Sequence, residues 1–180
     1  MAATSLDDVR ARAHASKSQL YLYFRDRDDL LRAVAEATCE AVLDTQQAAL
    51  AEFDSLVGAE RYLDALVTFQ EQREAPGGCP IGTLAGQLAD HDEPSRLALA
   101  EGYARWEQGL CSGLEAMSGR GELRPDVDPR VLANQILAVL QGGLVLTQVR
   151  RDPRQLRAAA DAALELVGNA ATRTARPGGS

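Results

Sequence analysis

Ser16-Lys17-Ser18-Gln19-Leu20-Tyr21-Leu22-Tyr23-Phe24 is the stretch on which the reading of this chain turns. Ser16 is a good helix N-cap, and Gln19 stands three residues on, where its side chain reaches back to the cap's amide. Leu20 and Phe24, spaced i, i+4, fall on one inward stripe. Lys17, Ser18, Gln19, Tyr21 and Tyr23 are left facing outward or flanking that stripe. A helix start that offers Lys, Ser, Gln and Tyr can donate to phosphates and to base edges in a major groove.

Working outward, Thr4 or Ser5 can cap an earlier helix running to about Ala13, with Asp7 or Asp8 completing the box. Leu6, Val9 and Ala13 make its apolar face. His14-Ala15 is then a turn of the length that sets two helices at a steep angle, so residues 4–24 read as a helix-turn-helix. Beyond Phe24, Asp26 caps a long amphipathic helix with Asp29 at its third position.

From Thr4 to Leu31 the combined pattern of cap, turn, Leu20-Tyr21-Leu22-Tyr23-Phe24 and the Asp26-capped helix start resembles the TetR/AcrR family of transcriptional regulators. The match covers the second, third and start of the fourth helix of that family's DNA-binding domain. The resemblance implies that Lys17 and Tyr23 contact phosphates, that Ser18, Gln19 and Tyr21 approach base edges from a helix opened by Ser16, and that Thr4 or Ser5 and Arg27 clamp the backbone. Tyr21 equally suits a core aromatic. Departures are His14 and Ala15, where the family usually has Gly and a larger aliphatic, and Arg10 and Arg27, where it has Ala and Lys. The family also places a full helix before this one, whereas here Met1-Ala2-Ala3 alone precede Thr4, so the expected head lacks the family's first helix. Leu6, Val9, Leu20 and Phe24 would then lose cover, at about 1.5–3 kcal/mol for each large group left wet. Gly78-Cys79-Pro80-Ile81-Gly82-Thr83-Leu84-Ala85, with Gln87-Leu88-Ala89, resembles the YxaF/LmrA-like branch, whose bodies bind a small molecule and hold a dimer together.

Composition sets bounds on function. The 180 residues are 46% hydrophobic but 4% aromatic, which suits helices packed through aliphatic contacts, and the net charge of −7 argues against a surface that binds nucleic acid all over. Residues 1–32 carry six basic side chains against five acidic, a net +1, leaving −8 on residues 33–180. An acidic body with a less acidic end is compatible with a protein that touches DNA at that end. The three cysteines form no CxxC pair, and His14 and His91 lie far apart, so no metal site is indicated. There is no Ser–His–Asp order, P-loop or GxGxxG, which leaves catalysis and cofactors without a foothold. No basic region followed by an apolar run opens the chain. Val131–Val149, the most apolar segment, is interrupted by Asn134, Gln135, Gln141, Thr147 and Gln148 and reads as a buried helix of a cytoplasmic protein.

Helices are expected at 5–13, 16–23, 27–53, 58–74, 81–90, 94–118, 128–149 and 153–169, with no strands. The expected architecture is all-α: a truncated helix-turn-helix head (1–32), a long helix joining it to a ligand-binding and dimerisation body (33–170), and a frayed tail (171–180). Tyr62, Phe69, Cys79, Tyr103, Trp106 and Met117 are candidates to line a body cavity, with plain core as the alternative. Cys79 is a candidate redox sensor or, alternatively, a small buried turn residue. Two apolar stripes, Leu132, Ile136, Val139, Leu140, Gly143 and Leu144, then Leu156, Ala160, Ala163 and Val167, suit a four-helix seam between two copies, or an intramolecular core.

The expected function is a ligand-responsive repressor, a homodimer whose recognition helices enter successive major grooves of a palindromic duplex operator roughly 34–36 Å apart. The rival is a ligand-binding or heterodimerising relative that no longer binds DNA for want of its first helix.

Overall fold

The computed structural model describes residues 22–72 and 78–172. The helices expected at 5–13 and, up to residue 21, at 16–23 lie outside the described residues, as do Thr4, Ser5, Ser16, Lys17, Ser18, Gln19 and Tyr21 and the tail from residue 173. Leu22 and Tyr23 are helical.

Six helices follow among the described residues: α1 (Arg27–Ala51), α2 (Leu56–Gln72), α3 (Pro80–Leu88), α4 (Glu93–Gly119), α5 (Pro129–Arg150) and α6 (Arg154–Ala170). Their starts are chemically marked. The Asp26 carboxylate accepts from the Asp29 amide at 2.8 Å, that of Asp92 from Ser95 at 2.9 Å, and that of Asp128 from Arg130 at 2.8 Å. Each satisfies an amide that has no partner within its helix. Pro80, Pro94 and Pro129 fall in first turns, where the missing N–H costs nothing.

The helices pack in two main pairs, α1 with α4 and α5 with α6, which α4 joins through α5 and α2 through α6. α3 packs against α1 and α4. Phe53, in the α1–α2 turn, is fully buried and meets Tyr62 edge-on with ring centroids 5.4 Å apart. That turn sits hard on α4. A Cβ at Gly113 would lie 1.6 Å from the Phe53 carbonyl oxygen, so only glycine admits the crossing. One antiparallel bridge, Leu123 with Ala171, ties the α4–α5 loop to the end of α6. Arg124 N donates to Ala170 O at 2.9 Å and Thr172 N to Glu122 O at 2.8 Å.

The two stripes expected to meet a second copy close on each other within this chain. Leu132, Ile136, Leu140, Gly143, Leu144, Leu156, Ala160, Ala163 and Val167 are all buried, and Val139 is half-buried. Gly143 lets α6 approach so closely that a Cβ there would lie 2.4 Å from the Ala159 Cβ. A face consumed by its own chain cannot also cover a partner, so the seam assignment of these residues is corrected to intramolecular core. α5 has the length and, at a mean hydropathy of 1.3, the composition of a membrane-crossing helix. Its buried face packs against α4 and α6, which accounts for that apolarity.

Candidate functional site

At the head, Tyr23 is 75% exposed and Leu22 80% exposed, so both side chains face outward just before α1 begins. The first turn of α1 carries Asp28 and Asp29, favourable at a helix N-terminus. Asp29 Oδ1 accepts from Arg32 Nη2 at 2.6 Å, and its Oδ2 accepts from the Arg25 amide at 3.2 Å. Arg32 first and Arg25 second hold the Asp29 carboxyl below the usual carboxylate range. Arg27 Nη1 lies 3.9 Å from Asp28 Oδ1 at the exposed start of the helix.

From Val34 onward the same helix forms one wall of a cavity of about 900 Å³. α1 contributes Val34, Ala37, Thr38, Ala41, Val42, Thr45, Gln46 and Ala49, and α2 faces it with Tyr62 and Asp64–Leu66 and, further on, Thr68, Phe69, Gln70 and Gln72. Cys79-Pro80, Trp106 of α4, Leu144 of α5 and Leu156 of α6 complete the lining. The volume and apolar lining are those of a small-molecule site.

A closed chain of hydrogen bonds runs across the floor. Trp106 Nε1 donates to the Tyr62 hydroxyl at 2.7 Å, that hydroxyl donates to Gln46 Oε1 at 2.7 Å, and Gln46 Nε2 donates to the Val42 carbonyl at 3.3 Å. Burial pushes the Tyr62 phenol far above its ordinary range, so it stays a neutral donor and acceptor. On the α1 wall, Thr38 Oγ1 donates to Val34 O and Thr45 Oγ1 to Val42 O, both at 2.7 Å. On the α2 wall, Gln70 Nε2 donates to Gly78 O at 3.3 Å, while the buried Gln70 Oε1 has no partner among the described residues. Asp64 is ion-paired with Arg157 of α6.

Four of the six sequence candidates therefore meet at this cavity: Tyr62, Phe69, Cys79 and Trp106. Tyr103 and Met117 are not on its lining, which corrects their assignment. The Tyr103 hydroxyl donates instead to Gln141 Oε1 at 3.2 Å between α4 and α5, and Met117 is buried in the core near the end of α4. Cys79 is buried, and desolvation raises its thiol pKa, which keeps it protonated and weakly nucleophilic. The α1 wall escaped sequence reading. Its residues at 34, 38, 41, 42, 45 and 49 keep helical spacing, the one signal available, but that spacing also describes ordinary core. Among the described residues no group of His, Cys, Asp and Glu could hold a metal ion.

α1 is held to the body below the cavity wall by an Arg105–Glu40 ion pair across to α4. The helix thus has one end beside the exposed Tyr23 and a middle that lines the cavity.

Comparison with known proteins gives concordant findings. Residues 1–34 match the family described as bacterial regulatory proteins, tetR family, and residues 58–163 match the tetracyclin repressor-like C-terminal domain. An uncharacterized HTH-type transcriptional regulator in the lacX 3′ region of Lactococcus lactis subsp. lactis is 26% identical over 157 residues, covering 83% of this chain and 75% of that one. The transcriptional regulator AcuR of Cereibacter sphaeroides is 26% identical over 157 residues, covering 82% of this chain and 69% of that protein. In three dimensions, a crystal structure of a regulatory protein TetR from Rhodobacter sphaeroides superposes with a TM-score of 0.76 at 19% identity, covering 94% of this chain and 88% of that one. The last likeness concerns the fold alone. The matched families and named relatives are regulators, not enzymes.

Proposed function

This chain belongs to the TetR family of bacterial regulatory proteins, and from that premise we propose that it is a ligand-responsive repressor acting as a homodimer on a palindromic DNA operator. The head is residues 1–32, the ligand-binding and dimerisation body residues 33–170, and the setting is the cytoplasm, where the operator lies. The resemblance of the Gly78–Ala89 segment supports a reading of the body as YxaF/LmrA-like.

The observation that carries the reading is the double duty of α1, which starts beside Tyr23 and then walls the cavity from Val34 to Ala49. A ligand that favours one position of this wall over another moves the helix that carries the head. It shifts the DNA-binding equilibrium by its differential affinity for the two states and by no more than that. In this reading Lys17 and Tyr23 contact phosphates, Ser18, Gln19 and Tyr21 approach base edges from a helix opened by Ser16, and Thr4 or Ser5 and Arg27 clamp the backbone. The seam between copies falls on the outward face of α5, where Ala138, Gly142, Val145, Leu146 and Val149 are exposed.

The test is selection of duplexes from a random pool by the full chain, followed by fluorescence anisotropy of the selected site against salt. The expected result is a palindromic consensus bound by two chains, with affinity falling steeply as salt rises. Lys17→Ala and Tyr23→Ala should each weaken binding by about tenfold or more. No enrichment, or binding indifferent to salt, refutes the proposal and favours a relative that has given up DNA.

A further inference from the structure

We propose that the cavity selects an uncharged, ring-sized, largely apolar ligand bearing a hydrogen-bond donor, and that it discriminates against organic ions of either sign. This rests on the effector reading above and narrows it to a chemical class. The first ground is charge. No Lys, Arg or His stands among the described lining residues, and the one carboxylate on the lining, Asp64, is already neutralised by Arg157. An anion entering between α1 and α2 meets no cation among the described lining residues. A cation meets a carboxylate already paired with Arg157. Neither recovers the cost of leaving water.

The second ground is the direction of the unused hydrogen-bonding capacity. On the floor the Trp106 N–H is committed to Tyr62, the Tyr62 hydroxyl to Gln46, and one of the two Gln46 N–H groups to the Val42 carbonyl. The hydroxyl proton of Thr38 is committed to the α1 backbone, so this half-buried oxygen offers the cavity lone pairs. The Gly78 carbonyl fixes the Gln70 amide with its nitrogen toward that carbonyl, leaving Oε1 as a buried acceptor without a partner. Thr68 and Gln72, the other polar side chains of the α2 wall, are exposed and stay hydrated. The unpaired Gln70 Oε1 and the Thr38 lone pairs call for a donor, and a ligand hydroxyl or N–H supplies one. The third ground is size: about 900 Å³ admits a fused-ring skeleton with room for substituents.

The experiment compares four naphthalenes of nearly equal size by titration calorimetry on the full chain: 2-naphthol, 2-methoxynaphthalene, 2-naphthoate and 2-naphthylmethylammonium. The naphthol should bind about three- to tenfold tighter than its methyl ether, which carries a methyl in place of the donor, and at least about tenfold tighter than either ion. Thr38→Val and Gln70→Leu each remove an acceptor with little change of shape. At least one of them should shrink the naphthol's advantage toward unity while leaving the ether's affinity in place, with thermal melting confirming the fold. Thr38 lies on the half-exposed flank of α1, so its variant keeps a folded test available. The proposal is overturned if either ion binds tightest, if ether and alcohol bind equally, or if both variants leave the ratio unchanged. Preference for an ion with operator binding intact sinks the ligand class alone. Failure of all four to bind, in a protein that selects no DNA, sinks the regulator reading with it.

Discussion

Tyr62→Phe removes one oxygen from the cavity floor, and its cost can be worked from the contacts that oxygen makes. The hydroxyl accepts from Trp106 Nε1 and donates to Gln46 Oε1, both at 2.7 Å, with Tyr62 and Trp106 each 1% exposed. Phenylalanine fills the same ring site, so no large cavity opens. The indole N–H loses its acceptor in a place where water does not replace it, and Gln46, 8% exposed, recovers its partner only in part. A buried group left unpaired costs about 1–3 kcal/mol, so two groups, one partly rehydrated, put the total at about 2–4 kcal/mol. For a chain of this length that is a fall in Tm of roughly 5–15 °C. Urea unfolding followed by circular dichroism gives the free energy, and calorimetry the midpoint. The same argument makes the loss non-additive. Gln46→Leu in the Tyr62→Phe background removes an atom that is already orphaned, so the pair should couple by about 1 kcal/mol or more. A loss below about 0.5 kcal/mol for the single change, or strict additivity in the cycle, refutes the claim that the floor is a connected chain.

Two further perturbations follow from the geometry. Gly113→Ala pushes a methyl into the Phe53 carbonyl, a backbone atom with nowhere to go, and should destabilise by at least about 3 kcal/mol. Gly168→Ala, inside α6 with nothing within 4 Å, should instead stabilise by about 0.4–1 kcal/mol, and the two melting curves side by side check the contrast. Stability should also fall on acidification through Asp152, whose carboxyl Arg154 draws down from 3.8 to about 2. A carboxyl lowered in the folded state contributes above its unfolded pKa and loses that contribution as pH drops from about 5 toward 2, so Asp152→Asn should flatten the thermal midpoint over that range.

How far the residues announced this structure differs between helix ends, helix faces and empty space. The ends were legible where Asp26, Asp128 and the prolines at 94 and 129 act locally, within one turn of the helix they start. The faces were legible only by half. Periodicity in Leu132–Leu144 and Leu156–Val167 says which side is apolar, yet an apolar side is satisfied equally by its own chain or by a copy. Here α5 and α6 satisfied each other. The cavity was least legible. Large aromatic residues such as Tyr62 and Trp106 drew notice for their size, but a cavity is made where atoms are missing. Ala37, Thr38, Ala41 and Thr45 make it by being small and by facing α2 at a distance that no local pattern records.

The tie between the α4–α5 loop and the end of α6 bears on how two copies would meet. α6 is fastened at its start by Thr147 Oγ1, which accepts from Leu156 N at 3.0 Å, and at its close by the pairing of Leu123 with Ala171. Arg124 adds a guanidinium bond to Asn169 O at 2.8 Å. With both ends pinned, the α5–α6 pair is a pre-organised plate. The ordering entropy of its backbone is settled when the chain folds, and it need not be charged again when a second plate arrives.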